Sequence, residues 1–209
     1  VKMIYNKDAQ DIYRESFEII RAESDLSSFS PVLARVVVRM IHACGMTDLP
    51  QYVSASPTAT EVGEQALLAG MPILCDANMV ANGITRSRLP KNNEVICTLS
   101  DPRTAELARR FETTRSAAAL ELWRDRLGDS IVVIGNAPTA LFHLLEMLET
   151  GAAAPALIIG IPVGFVGAAE SKVALETNHL NLPFLTVRGR RGGSAIAAAA
   201  VNALASEEE

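Results

Sequence analysis

From about residue 52 onward the chain alternates short apolar runs with helix-like segments, and this pattern constrains its fold more than any other feature. Tyr52 to Ser54 precedes a helix-like Thr58 to Ala69, Ile73 to Cys75 follows, and Val95 to Thr98 leads into a helix predicted from Ala105 to Leu127. Ile131 to Ile134 then pairs with Thr139 to Leu148, Leu157 to Ile161 with Glu170 to Glu176, and Phe184 to Val187 with Ser194 to Leu204. The run Ile131-Val132-Val133-Ile134 is apolar at every position, so both of its faces must be covered. The predicted fold is therefore α/β: a single domain built on a mainly parallel, Rossmann-like sheet flanked by helices, with right-handed connections.

Two helices are expected ahead of the sheet. Between Ala9 and Ala22 an apolar stripe of Ile12, Tyr13, Phe17, Ile19 and Ile20 alternates with charged positions. Ser30-Pro31 reads as an N-cap followed by proline at the first helical position, and the helix runs through Val36, Val37, Val38, Met40 and Ile41 to Gly45. No repeat, low-complexity stretch or Pro/Ser-rich hinge divides the 209 residues, so one domain spanning 1–209 is expected.

Charge narrows the partners. Lys and Arg total 19 against 24 Asp and Glu, a net charge of −5 with the signs interspersed, which offers no field to hold nucleic acid or an anionic membrane face. No apolar run approaches the ~20 residues of a spanning helix, and no charged-then-apolar leader opens the chain, so a soluble cytoplasmic protein is expected. Val1 reads as a processed end or an expression remnant, and Glu207 to Glu209 as a solvated, frayed tail. Cys44, Cys75 and Cys97 are odd in number and lack any C-x-x-C spacing; they read as buried thiols rather than a disulfide frame or zinc knuckle. His42, His143 and His179 show no metal-ligand pairing, so no metal is expected.

Open parallel sheets bind ligands beyond the carboxyl ends of their strands, which directs attention to the residues after each run. Gly135-Asn136-Ala137-Pro138 and Pro162-Val163-Gly164-Phe165-Val166-Gly167 open helices with small residues, leaving backbone N–H groups for a carboxylate or phosphate. Close helix-on-strand packing would explain the same glycines. Arg188, Arg190 and Arg191 beside Gly192 and Gly193 at another helix start suit anionic carboxylates, although a solvated turn has the same composition. The segment Asp76 to Arg86 reads as a ligand-facing loop with a short helix, and Arg115 interrupts a long helical run, where it could equally form a surface salt bridge. Neither a dinucleotide fingerprint nor a Walker loop is present, which leaves a nucleotide-binding regulator with fold analogy alone.

His42 is the sharpest signal. A lone histidine on an apolar helix is more often structural, but this one falls in the last helical turn, where the macrodipole favours the imidazolium and so a proton donor near neutral pH. His143, inside a helix, and His179, in a polar turn, read as structural or surface residues.

Several segments belong together: Arg14-Glu15-Ser16-Phe17-Glu18-Ile19-Ile20-Arg21-Ala22-Glu23, Arg39-Met40-Ile41-His42-Ala43-Cys44-Gly45, Pro72 to Asp76, Glu94 to Leu99, Thr114 to Ala118, Gly135 to Leu141 and Pro162 to Lys172. Taken in order, these segments resemble the precorrin-8X methylmutase (precorrin isomerase) family of cobalamin biosynthesis. They span nearly the whole chain in order; the stretch from Met46 to Ala69 looks variable, and nothing is carried over there. The resemblance implies an isomerase that moves a methyl group from ring carbon eleven to ring carbon twelve of a corrinoid tetrapyrrole, giving hydrogenobyrinate without any cofactor. It also implies a homodimer with the pocket at its interface: His42 the acid, Arg115 supplied by the partner, and Ser16, Thr85 and Arg86 lining the pocket. Asn136, Arg188, Gly192 and Gly193 are then expected to fix the substrate's carboxylate arms. A non-catalytic corrinoid carrier would need the same pocket, and the cobalt-precorrin-8 methylmutase of the anaerobic route shares the quoted segments.

Overall fold

The structure, a computed structural model, describes residues 3–206; Val1 and the closing Glu207 to Glu209 lie outside them. Six strands form one sheet: β1 (Val53–Ala55), β2 (Ile73–Cys75), β3 (Val95–Ile96), β4 (Ile131–Ile134), β5 (Leu157–Gly160) and β6 (Phe184–Val187), in the order β1-β6-β5-β4-β2-β3. β3, β2, β4, β5 and β6 are parallel, in agreement with the apolar-throughout runs, and every residue of β2, β4 and β5 is buried. β1 runs antiparallel along β6, Val53 facing Val187. That one antiparallel edge departs from a uniform alternation, because the chain enters β1 at the carboxyl end of β6.

Helices α1 (Ala9–Glu23), α2 (Pro31–Cys44), α3 (Ala59–Leu68), α4 (Asn78–Gly83) and α9 (Ser194–Ala205) cover one face. The other carries α6 (Arg115–Ala119), α7 (Pro138–Glu149), α8 (Ala168–Glu176) and the 3₁₀ segment Leu120–Asp129, with the short α5 (Thr104–Arg110) packed beside α6. Alternate strand residues feed the two cores: Ile131 and Val133 pack with α2 and α9, Val132 and Ile134 with Trp123 and α7.

Local chemistry sets the helix ends. Ser30 Oγ accepts from Leu33 N at 3.3 Å ahead of Pro31, and Gly45, at φ 69°, stops α2 with its N–H on Ile41 O. The single helix expected from Ala105 to Leu127 is instead three pieces. α5 ends at Arg110, Glu112 takes φ 49°, and the Thr114 hydroxyl accepts from Ala117 N at 3.2 Å to start α6 anew. A threonine that caps a new helix competes with continuing the old one. Arg115 is therefore the first residue of a helix and does not interrupt one. Only Cys75 of the three thiols is buried; Cys44 and Cys97 are half-buried, and burial raises all three above the ordinary thiol range.

Candidate functional site

The chain reverses direction across the sheet between β2 and β4, since β3 lies outward of β2 and β5 and β6 outward of β4. The crevice beyond such a reversal is where open α/β sheets usually take ligands. Here a side chain of the protein fills it. Asp76, which follows β2 and is fully buried, accepts from Gly135 N at 2.9 Å, Asn136 N at 3.0 Å and Ala137 N at 2.8 Å at the start of α7. Burial pushes its carboxyl upward and the three amide donors pull against that shift. The Gly135-Asn136 amides expected to meet a substrate carboxylate are thus already occupied, and only the Asn136 side chain faces solvent.

The second glycine pair is likewise structural. Gly193 N donates to Ile161 O at 2.9 Å, and a Cβ on Gly192 would stand 2.5 Å from Ile161 O and 2.6 Å from Pro162 O, so the backbones meet there directly. Beneath this strap Lys172 is fully buried, its ammonium donates to Arg191 O at 2.6 Å, and burial lowers it to about 8. Arg191 lies over the Tyr52 ring at 4.6 Å and pairs with Asp48 at 2.7 Å. Arg188 pairs with Glu176 at 2.9 Å and reaches Ser54 at 3.4 Å, at the β1 edge. In this chain Arg188 and Arg191 are thus engaged by the protein's own groups, with Arg188 still more than half exposed.

The helical face tells a different story. α2 runs antiparallel to α9 and carries His42 to the carboxyl end of the sheet. The His42 ring lies against Phe17 and Tyr13, with centroids 5.1 and 5.5 Å away, and opens into a cavity of about 310 Å³ shared with Ser16, Ile19, Ile20 and Thr47. Ser16 Oγ donates to Ile12 O at 2.7 Å, which leaves its oxygen lone pairs as acceptors on that cavity. Burial first and Arg39 second lower the His42 imidazole below its ordinary range, opposite to the direction the macrodipole alone predicts. The guanidinium of Arg39, one turn earlier on α2, sits 5.6 Å from the Phe17 ring centre.

Thr85 and Arg86 follow α4 on the same face. Thr85 N donates to Asn202 Oδ1 at 2.8 Å while Asn202 Nδ2 returns a bond to Gly83 O at 3.0 Å, so α9 holds this turn in place. Arg86 folds back on Ala81 O and Ile84 O at 2.8 and 2.9 Å but stays exposed. Arg115 lies in the layer across the sheet and donates to Leu99 O at 3.0 Å. Of the predicted site residues, one chain brings His42 and Ser16 into one cavity, holds Thr85 and Arg86 in the same layer, and leaves Arg115 on the other side. His143 bonds Glu121 at 2.7 Å within the opposite layer, and exposed His179 pairs with Glu149 at 3.3 Å, both away from this site. Among the described residues no three His, Cys, Asp or Glu gather as a metal site, and no helix is long and apolar enough to cross a membrane.

Sequence reasoning missed Tyr13, Phe17 and Arg39. Their signal was available as spacing: Tyr13 and Phe17 stand four apart on α1, and Arg39 and His42 three apart on α2, so each pair shares a face.

The family model described as precorrin-8X methylmutase matches residues 11–207. A precorrin-8X methylmutase of Pseudomonas aeruginosa is 59% identical over 205 residues, covering 98% of this chain and 99% of the relative. The chain belongs to the precorrin-8X methylmutase family. It is an isomerase of cobalamin biosynthesis. A cobalt-precorrin-8 methylmutase of Leptospira interrogans is 38% identical over 202 residues, 93% of this chain and 92% of that one. The crystal structure of a precorrin-8X methylmutase from Thermus thermophilus superposes with TM-score 0.85 at 40% identity, covering 94% of this chain and 95% of the other. The mixed, mostly parallel sheet is thus the family's fold.

Proposed function

We propose that this methylmutase moves a methyl group from ring carbon eleven to ring carbon twelve of precorrin-8X, giving hydrogenobyrinate, with His42 as general acid. The placement of His42 carries the reading: it ends α2 at the carboxyl side of the sheet, is oriented by Tyr13 and Phe17, and opens into a cavity beside Ser16. A methyl shift around a conjugated ring needs no nucleophile, whereas a proton placed on the ring withdraws electrons and lowers the barrier. General acid catalysis typically supplies about 10²–10⁴-fold, so holding the ring in a reactive shape supplies the rest. In the free chain burial and Arg39 disfavour the imidazolium. An incoming polycarboxylate brings negative charge beside His42 and favours its protonation, so substrate binding itself loads the acid.

A cavity of about 310 Å³ is small for a tetrapyrrole, and Arg115 lies across the sheet from His42. Both observations favour a homodimer whose site joins His42, Ser16, Thr85 and Arg86 of one chain to Arg115 of a second. No cofactor is needed for the shift as written. The higher identity to the relative named for precorrin-8X than to the one named for cobalt-precorrin-8 favours a metal-free substrate. The free thiols of the described residues suit a reducing, cytoplasmic setting.

Anaerobic incubation with precorrin-8X, followed by visible spectroscopy, tests the reading. Wild type is expected to form the orange product, while His42→Ala binds tetrapyrrole without turnover. Binding with no product from either protein would mean a corrinoid carrier, and lost binding in a folded His42→Ala would make His42 a positioning group.

A further inference from the structure

One side chain of α9 departs from the chemistry around it. From Ile196 to Leu204 every residue of the helix is buried, and among them Asn202 is the one polar residue. An alanine at 202 would suit α9 itself, as the neighbouring alanines show, so the amide answers to something outside the helix. We propose that Asn202 is a positioning residue for the methyl shift: it fixes the turn that carries Thr85 and Arg86, and through that turn their placement toward the substrate. The proposal rests on the reading of Thr85 and Arg86 as pocket residues above.

Both ends of the amide are engaged, as a buried polar group requires. Oδ1 accepts from Thr85 N at 2.8 Å and Nδ2 donates to Gly83 O at 3.0 Å, so one side chain grips the last residue of α4 and the turn after it. The approach depends on Gly83, where a Cβ would stand 2.8 Å from the Ala198 Cβ. α9 also packs along α2, the helix of His42, and is therefore the common support of the acid and of the turn. A second tie comes from Arg86, whose guanidinium donates to Ala81 O and Ile84 O. α4 ends in the extended residue Ile84 and has no left-handed cap, so these carbonyls need side-chain donors. The two ties differ in what they can do. Arg86 is exposed, and a guanidinium that turns to a substrate gives up the α4 carbonyls. Asn202 is buried and keeps its bonds, so the turn holds its shape while Arg86 changes partner.

The test is steady-state kinetics with precorrin-8X, without oxygen, on wild type, Asn202→Ala, Asn202→Asp, Thr85→Ala and Arg86→Gln, each assayed at a temperature where circular dichroism shows it folded. Asn202→Ser, whose hydroxyl is too short to reach Thr85 N, replaces Asn202→Ala should the latter not fold. Ser130→Ala is the control: Ser130 is fully buried and donates to Leu127 O at 2.7 Å in the opposite layer, so the variant loses a buried side-chain bond without touching the turn. A misplaced binding group costs about one hydrogen bond, so Asn202→Ala is expected to raise KM about tenfold with kcat within about threefold, as Thr85→Ala and Arg86→Gln do. Ser130→Ala is expected to lower Tm and leave KM within about twofold. Asn202→Asp keeps the acceptor for Thr85 N and is expected to recover most of the KM. Unchanged KM in Asn202→Ala, beside raised KM in Thr85→Ala and Arg86→Gln, would overturn the positioning role and leave the pocket reading standing. Unchanged KM in Thr85→Ala and Arg86→Gln would remove the pocket reading and the proposal with it. A KM shift shared by Ser130→Ala, or no recovery in Asn202→Asp, would reduce Asn202 to a contact for stability.

Discussion

Replacing Asp76 with alanine tests how the fold closes its own ligand crevice. The side chain supplies the acceptors for three backbone donors, at 2.8–3.0 Å, where β4 passes into α7. Gly135 is buried, so its N–H has no solvent to turn to and should cost the ~1–3 kcal/mol of an unsatisfied buried donor. Asn136 and Ala137 are at or near the surface, and water can replace the lost acceptor there at roughly 0.5–1 kcal/mol each. The total is about 2–5 kcal/mol, which for a chain of this size lowers Tm by roughly 5–15 °C. Urea unfolding can be followed through Trp123, the one tryptophan, which is buried against β4 in the α7 layer. An unfolding free energy within about 1 kcal/mol of wild type, at unchanged denaturant slope, would refute the argument. A second consequence separates this account from simple cavity formation. With the carboxylate gone, the vacated amides become a helix-start anion site, so phosphate should stabilise Asp76→Ala more than wild type.

Three further outcomes are expected. Arg39→Gln removes a positive neighbour of His42, so the imidazole rises and the alkaline fall in turnover moves to higher pH; an unmoved pH profile would separate Arg39 from the acid. Lys172 titrates near 8 in the fold against 10.5 unfolded, so over that window the unfolded chain holds more protons and stability rises with pH. In Lys172→Met that rise should disappear from denaturation curves taken at pH 7 to 11. Gly192→Ala drives a Cβ into two backbone carbonyls and should cost about 1–3 kcal/mol by calorimetry, whereas Gly151→Ala meets no neighbour and reports backbone conformation alone.

The sheet was legible because burial on both faces leaves a local trace: Ile131 to Ile134 and Leu157 to Gly160 are apolar at every position. The direction of β1 was not, since a three-residue strand reads the same either way and its pairing partner lies 130 residues downstream. Thr114 shows a different limit. Helical periodicity ran through Glu112 to Thr114, and only the hydroxyl's role as a cap reveals the break. Within the site, His42 and Ser16 were readable as residue types on helices. What sequence alone misassigned was the ownership of backbone amides. Glycine-rich helix starts invite anions, and deciding whether a ligand or Asp76 occupies them depends on a contact 59 residues apart.

The two rims of the sheet set how copies of this chain can meet. β3 is two residues long and β1 three, so neither rim offers more than a short ladder to an incoming strand. Continuation of one sheet into another is thereby discouraged, so the homodimer proposed above would have to use helix and loop faces, with the α1–α2 end of one chain against the Arg115 layer of the other. Stunted edges thus do for assembly what a gasket does for a joint: they close the unwanted seam and leave the bearing surface to the helices.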